Sequence, residues 1–168
     1  MSDVAADVIE EARFRIVEGF PEQIRAALAS MTDEEIWLRP STKGNSVGHL
    51  VIHLIGSTRL FLGRAVGGSD FVRDRPGEFS FAGALPRAEL LRRLDEALGE
   101  ARAVFAALTP QRLAETTDRA PGGPFTVLAL ILRVSHHWAV HTGQIVYAAK
   151  CLREDAIDEL WMKTMKGH

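Results

Sequence analysis

The chain has 168 residues and a mass of 18.5 kDa, which predicts one domain over 1–168, because two separate domains would each be short of core. Hydrophobic residues make up 46% and charged residues 25%, a composition typical of globular proteins that excludes disorder as the main state. The formal net charge of -2 offers no overall positive field to a phosphate backbone, so we expect no nucleic-acid partner. The first residues include acids, and no apolar run is long enough to span a bilayer, so we expect a cytoplasmic protein with no membrane partner.

The first periodic segment places apolar residues three and four apart over residues 3–29, which predicts a helix. Pro21 is expected to kink or divide that helix, because proline lacks an N–H and clashes with the preceding turn. Thr32, followed three residues later by Glu35, has the spacing of a capping box and predicts a single helical turn over 34–38.

The second long helix is predicted over 47–66, with Ser46 as its N-terminal cap and the Gly67-Gly68 pair at its end. Residues 68–85 show no helical period and are predicted to form a long loop with exposed aromatic side chains. Loops of this length in compact domains are often functional, and the aromatic residues could line a pocket. They are Phe71, Phe79 and Phe81.

The third helix is predicted to begin at Pro86 and to continue to residue 108, and the fourth to run from residue 125 or 126 to residue 152. A short amphipathic helix is expected at 157–165. No segment alternates apolar and polar residues, so the fold class is an all-α four-helix bundle with a short C-terminal helix. Long crossover loops are expected between the second and third helices and between the third and fourth, with the connectivity left open.

The fourth helix carries two histidines that face the predicted core. His137 and His141 lie four residues apart, which places their imidazoles on one side of the helix, whereas His136 points about 140° away from His141 and is excluded as a ligand. The single cysteine, Cys151, excludes a multi-cysteine zinc site, so histidine and carboxylate are the only abundant metal ligands. Cys151 lies about 15 Å along the helix from His141 and is expected to be a buried structural thiol.

The second helix carries another pair, His49 and His53, on one strip with Gly56 and Gly63. In one reading this strip faces solvent. In the other, the glycines allow close packing beside a polar site inside the bundle. Two interpretations compete for the histidines: a shared metal site, or core histidines that each hydrogen-bond to the protein. A histidine from the second helix favours the metal site, because three buried imidazoles without a shared ligand would leave several ring nitrogens without partners.

The sequence resembles the DinB/YfiT-like superfamily of metal-binding four-helix bundles over most of its length. The segments that carry the resemblance are TDEEIWLRP at 32–40, NSVGHLVIHLIGSTRLFL at 45–62 and SHHWAVHTGQIVYAAKCL at 135–152. Members typically hold one divalent metal ion through one histidine of the second helix and two of the fourth. By position, the resemblance implies His53, which precedes Leu54, together with His137 and His141. His49 matches no ligand position and is interpreted as a surface residue or as a residue that supports a ligand without binding the metal. The alternative that His49 binds the metal in place of His53 stays open.

The resemblance implies thiol S-transfer, thiol-dependent isomerisation or metal-dependent hydrolysis. Three imidazoles leave open positions on a divalent ion, zinc or nickel first, which can activate a thiol or water. We therefore expect a metal-dependent transferase or hydrolase with a small-molecule substrate, and place transfer with a low-molecular-weight thiol ahead of hydrolysis. The alternative is a non-catalytic, stress-associated binding or assembly bundle with a vestigial or absent metal. No general base could be identified, since Glu10, Glu11 and Glu18 cannot be oriented from the sequence.

The remaining candidate residues have a structural reading that competes with a functional one. Gln144 is read as a helix-packing amide, and Arg59, Trp138 and Tyr147 as packing or solvent-facing residues that could also line a pocket. A homodimer is expected from relatives and is compatible with an apolar tail, although a tail that folds back onto its own bundle would explain the apolar residues equally. The tail residues are Leu160, Trp161 and Met162.

Overall fold

In a computed structural model, which describes residues 3–80, 84–154 and 162, four long helical regions form the frame of the protein. The first comprises α1 (Val4–Phe14), a π-helical segment (Arg15–Gly19) and α2 (Phe20–Ala29). Pro21 lies in the first turn of α2, and the preceding Phe20 N–H bonds to the carbonyl of Arg15. The wider π turn accommodates the proline, which has no N–H to donate. Pro21 therefore divides the helix into two α-helical parts without ending it.

The second region begins and ends at the predicted residues. Short helix α3 (Asp33–Trp37) carries the complete capping box of Thr32 and Glu35. The next helix, α4 (Val47–Thr58), is capped by the Ser46 hydroxyl and continues as a π-helical segment (Arg59–Val66). It stops at the Gly67-Gly68 pair, where Gly68 has a φ of 81°, a conformation that favours glycine.

Residues 68–85 differ from the predicted structureless loop. They contain α5 (Arg75–Ser80), whose first turn is closed by a hydrogen bond from the Gly77 N–H to the Asp74 carboxylate at 3.0 Å. The prediction of exposed aromatic residues is wrong for Phe71 and Phe79, which are half-buried because this segment folds back onto α4. Phe81 lies outside the described residues.

The third and fourth regions confirm the predicted helices. Helix α6 (Arg87–Ala106) follows Pro86, and α7 (Val127–Leu152) is capped by Thr126. Between them lie a 3-10 turn (Pro110–Ala114) and two antiparallel strands, β1 (Thr116–Thr117) and β2 (Phe125–Thr126), which the sequence did not predict. The predicted helix at 157–165 lies outside the described residues, as do Leu160 and Trp161; Met162 is described and exposed.

Contacts between the helical regions determine their directions. The second region runs parallel to the third, since Arg59 pairs with Glu100 and Gly67 lies beside Val104. It runs antiparallel to the fourth, because the ring of His53 lies edge-on to that of His141 and Arg133 lies over the ring of Phe61. Residues 67–86 must therefore return along the bundle, which confirms a long crossover between the second and third helices.

The first region runs antiparallel to the third, since Arg25 pairs with Asp95 and Arg87 bonds to the carbonyl of Leu28. The first region packs against the third and fourth regions, and the second region also packs against both of these. The first and second regions therefore lie diagonally opposite each other in the bundle, and so do the third and fourth. The apolar stripes of all four regions meet in one continuous core. Among the described residues, no helix combines the length and apolar character needed to cross a membrane.

Candidate metal centre

The bundle brings together three histidines from two helices. The Nε2 atom of His137 lies 2.9 Å from Nε2 of His53 and 3.0 Å from Nε2 of His141. One ring nitrogen of each histidine falls within 4.8 Å of the other two, so the group could hold a metal ion. Four-coordinate zinc with nitrogen ligands at about 2.05 Å separates those nitrogens by about 3.3 Å, which is close to the distances of His137 Nε2 from the other two nitrogens.

The protonation of these rings fits a bound cation. Nδ1 of His53 lies 2.8 Å from the Glu78 carboxylate, which can only accept, and Nδ1 of His141 lies 2.7 Å from Oε1 of Gln144. Nη2 of Arg73, which can only donate, also lies 3.0 Å from Nδ1 of His53, but it already donates to Glu78 at 2.7 Å. A lone pair on Nδ1 would face the ionised carboxylate without a proton between them, so we assign the His53 ring proton to Nδ1, and that of His141 likewise, which leaves a lone pair on each Nε2. A single proton on His137 Nε2 could serve only one of the two facing lone pairs well, whereas a metal ion satisfies all three nitrogens.

Glu78 and Arg73 form a buried ion pair behind His53. Arg73 donates to both carboxylate oxygens, from Nε at 2.6 Å and from Nη2 at 2.7 Å, and Glu78 is only 6% exposed. Burial alone would raise the pKa of Glu78, but hydrogen bonds from His53 and Arg73 and the charge of Arg73 outweigh it and lower that pKa. Glu78 is therefore an ionised acceptor that fixes the His53 ring.

Gly56 makes room for this ion pair. A Cβ atom at position 56 would overlap Oε1 of Glu78 and lie 2.9 Å from its Cδ. The reading in which the glycines of the second helix allow a polar site inside the bundle is thus confirmed at Gly56. The reading in which the strip faces solvent is wrong, since His53 is buried.

The surroundings of His137 disfavour the charged form of its imidazole. Burial, followed by the charges of His141, His53, Arg73 and Arg133, lowers its pKa to about 3. Burial also lowers the pKa of His141, against a smaller opposing effect of the Gln144 hydrogen bond. Neutral imidazoles are the form that binds metal. Nδ1 of His137 is buried and has no hydrogen-bond partner in the described part of the chain.

His49 lies apart from the group, but its predicted surface position is wrong. It is 2% exposed, its Nδ1 contacts the Ser46 hydroxyl, and its Nε2 lies 3.1 Å from Arg39. Trp37 packs edge-on against its ring. The same guanidinium of Arg39 donates to the carbonyl of Phe79 at 3.2 Å, so His49 helps to anchor α5, the helix that carries Glu78.

Four other residues named in the sequence analysis lie on the two helical regions that carry the histidines. His136 is exposed and outside the group, as predicted. Trp138 is a packing residue whose indole donates to Thr58 at 3.0 Å, and Arg59 pairs with Glu100 at the surface. Gln144, read from the sequence as a packing amide, is instead exposed and contacts His141.

The remaining two candidates lie near the end of α7. Cys151 is exposed, which corrects the prediction of a buried thiol, because α7 turns this side away from the core in its last turn. Tyr147 is also exposed and lines a cavity beside His141.

Two cavities adjoin the histidines on different sides. One, of about 540 Å³, is lined by His53 and His137, and the other, of about 490 Å³, by His141 and Gln144. The first contains several arginines, while the second is mainly apolar, with Leu50, Val47 and Ala148 among its lining residues. The group therefore borders two spaces of different polarity.

Comparison with known proteins identifies the family. The sequence profile of the DinB superfamily matches residues 17–145, most of the chain and all three histidines. The chain belongs to the DinB superfamily. A conserved protein from Enterococcus faecalis has a similar structure, with a TM-score of 0.62 and 16% sequence identity over 88% of this chain and 94% of that one. At that identity the likeness shows the fold. No curated protein matches the chain significantly.

The DinB motifs indicated the three histidines but missed the residues behind them. Glu78 and Arg73 come from a segment without helical period, and no motif pointed to them. One local signal was available: Asp74 followed by Pro76 is typical of a helix start, which would have placed Glu78 in the first turns of α5.

Proposed function

We propose that this DinB-superfamily chain is a metal-dependent enzyme that acts on a small molecule, with His53, His137 and His141 as the ligands of one divalent ion. The observation that carries the proposal is the convergence of three Nε2 atoms at the border of two cavities. A structural zinc site is normally closed by four protein ligands. Three ligands beside open space favour a site that accepts a substrate.

The chain's own residues would prepare this site in three ways. The Glu78–Arg73 pair orients His53, and Gln144 orients His141, so that both present Nε2 lone pairs. Burial among positive charges keeps His137 neutral and able to bind metal at neutral pH. When bound, a divalent ion with open positions lowers the pKa of a water or thiol placed there.

Thiol transfer is the reaction class that we place ahead of hydrolysis. Both oxygens of Glu78 already accept hydrogen bonds, and its pKa is lowered, so it is a poor general base. Among the described residues, no carboxylate lines either cavity. A metal ion held by the three histidines would ionise a low-molecular-weight thiol without help from a protein base, whereas activation of water would gain more from one.

The test begins with metal content and continues with activity. The purified full chain and its His137→Ala and His141→Ala variants are analysed for bound metal, with His136→Ala, an exposed neighbour, as the matched control. We expect close to one ion per chain in the wild type and the control, and loss of it in the other two variants.

Activity is then measured with a panel of low-molecular-weight thiols and 1-chloro-2,4-dinitrobenzene as the electrophile, and with simple ester and amide substrates. Faster thiol transfer by the wild type and His136→Ala than by His141→Ala supports the proposal. Equal rates in all proteins, with no hydrolysis above background, would contradict an enzyme acting on these substrates and favour a non-catalytic bundle. Hydrolysis without thiol transfer would reverse the order of the two reaction classes.

A further inference from the structure

The larger cavity beside the histidines has a cationic wall. Four arginines line it, and no carboxylate does so among the described residues. This concentration of positive charge stands in a chain whose formal net charge is -2. The arginines are Arg64, Arg73, Arg75 and Arg133.

Among the described residues, only one of these four charges is neutralised by a carboxylate. Arg73 pairs with Glu78 at 2.6 Å. Within the described part of the chain, Arg64, Arg75 and Arg133 form no ion pair with a carboxylate. The cavity therefore carries about three uncompensated positive charges, and clefts lined by one sign of charge concentrate counter-ions.

Aromatic rings hold two of these arginines by their faces. The guanidinium carbon of Arg133 lies 4.8 Å from the centre of the Phe61 ring and 5.5 Å from that of Phe125, and Arg75 lies 5.4 Å from Phe79. A guanidinium stacked on a ring keeps its N–H edge available for a planar or tetrahedral anion. The side chains are positioned, yet their donors are not used by carboxylates of the protein.

Arg64 is anchored in the same wall without being neutralised. Its Nη1 donates to the carbonyl of Phe71 at 3.2 Å, and its buried Nε has no hydrogen-bond partner among the described residues. A partly buried guanidinium without a counter-charge is unfavourable. An anion in the cavity that Arg64 lines would offset that charge.

We propose that this cavity binds a small organic anion, whose carboxylate or phosphate group is held by Arg64, Arg75 and Arg133 beside His53 and His137. The volume of about 540 Å³ lies in the range of small-molecule sites. The inference rests on the proposed function, since it names the class of substrate for the same site. The anionic group anchors the substrate, and the rest of the molecule lies against the histidines.

Direct binding tests this independently of turnover. The full chain, as purified and after removal of metal by chelation and dialysis, is titrated by calorimetry with succinate, with inorganic phosphate and with neutral dimethyl succinate. The metal-free arm separates anions held by arginine from anions held by a metal. Succinate and phosphate distinguish the two kinds of anionic group, and the diester tests the requirement for charge.

The matched variants are Arg133→Gln and Arg75→Gln, with Arg102→Gln as the control. Arg102 is exposed on α6 and does not line the cavity. Its substitution therefore removes the same charge as the other two variants without altering the cavity wall. We expect at least one anion to bind saturably and the diester not to bind. Each cavity variant should weaken binding about tenfold or more, the usual effect of losing a hydrogen bond to a charged group. Circular dichroism verifies that each variant is folded.

The outcomes separate this inference from the proposed function. Absence of saturable binding by both anions, or equal affinity in the cavity variants and in Arg102→Gln, would overturn the anion site. Arginine-dependent binding without any turnover would keep the anion site and contradict the enzyme. Metal-dependent turnover of neutral electrophiles without anion binding would keep the enzyme and overturn the anion site.

Discussion

Nδ1 of His53 donates a hydrogen bond of 2.8 Å to Glu78, so a histidine of the second long helix is oriented by a carboxylate from a short helix of the following connection. The carboxylate determines which ring nitrogen carries the proton and leaves Nε2 free for a metal ion. The geometry of the candidate centre therefore depends on a segment that contributes no ligand to it.

Glu78→Gln is expected to weaken metal binding about 10-fold to 100-fold, the usual effect of removing a residue that orients a ligand. The amide has the size of the carboxylate, but it loses the charge and can present an NH₂ group to His53. The affinity is measured by competition with a chelating indicator. Glu100→Gln, which removes a surface partner of Arg59, is the control and should bind metal as the wild type does. Equal affinities in both variants would contradict the role of Glu78.

Gly56→Ala tests the space that Glu78 occupies. A Cβ atom at position 56 would overlap the Glu78 carboxylate, so the ion pair must shift, and we expect a loss of about 1–3 kcal/mol in the free energy of unfolding, as for other overpacked sites. Gly99→Ala is the control, because no described residue outside the local helix backbone lies within 4 Å of its added Cβ, and α6 should gain up to about 1 kcal/mol. Urea denaturation measures both. Stabilisation of both variants would show that position 56 is not crowded.

The sequence predicted the four long helices because their apolar residues recur with a clear helical period and their caps are typical. Ser46 caps where the sequence places it, α7 begins one or two residues after its predicted start, and His137 and His141 face inward because α7 has a distinct apolar side. The small sheet and α5 were not predicted, since they are short and lie in connections without periodicity. Their formation depends on packing against the bundle.

The orientation of the second helix could not be derived from its pattern. Every residue of α4 is buried except the half-buried Ile52, so the helix has no solvent face against which a polar strip could be judged. Family resemblance indicated His53. The arrangement of Glu78, Arg73 and the cavity arginines depends on how residues 67–86 return along the bundle, which no local signal determines.

Chelation of the metal is expected to lower the melting temperature without unfolding the protein. The four helical regions share a continuous apolar core that does not depend on the histidines, so the metal adds binding free energy to an already folded chain. Circular dichroism at room temperature and a thermal scan, each with and without chelator, measure the effect. The melting temperature of His137→Ala should not respond to chelator, while that of His136→Ala should. Loss of helical signal at room temperature would instead indicate a structural metal site.

The metal-free protein is expected to lose stability on acidification between about pH 6.5 and about pH 3. The folded state holds the pKa of His137 near 3, mainly through burial, whereas the unfolded chain protonates it near 6.5. Over that window the unfolded state binds more protons, so the free energy of unfolding falls as pH falls, by up to about 1.4 kcal/mol per pH unit for this group. His141, whose pKa is also lowered, adds in the same direction. Urea denaturation at several pH values in the presence of chelator measures the slope, which should be smaller in His137→Gln and unchanged in His136→Gln, the exposed control. An equal slope in the His137→Gln variant and the wild type would show that His137 is not the group that titrates.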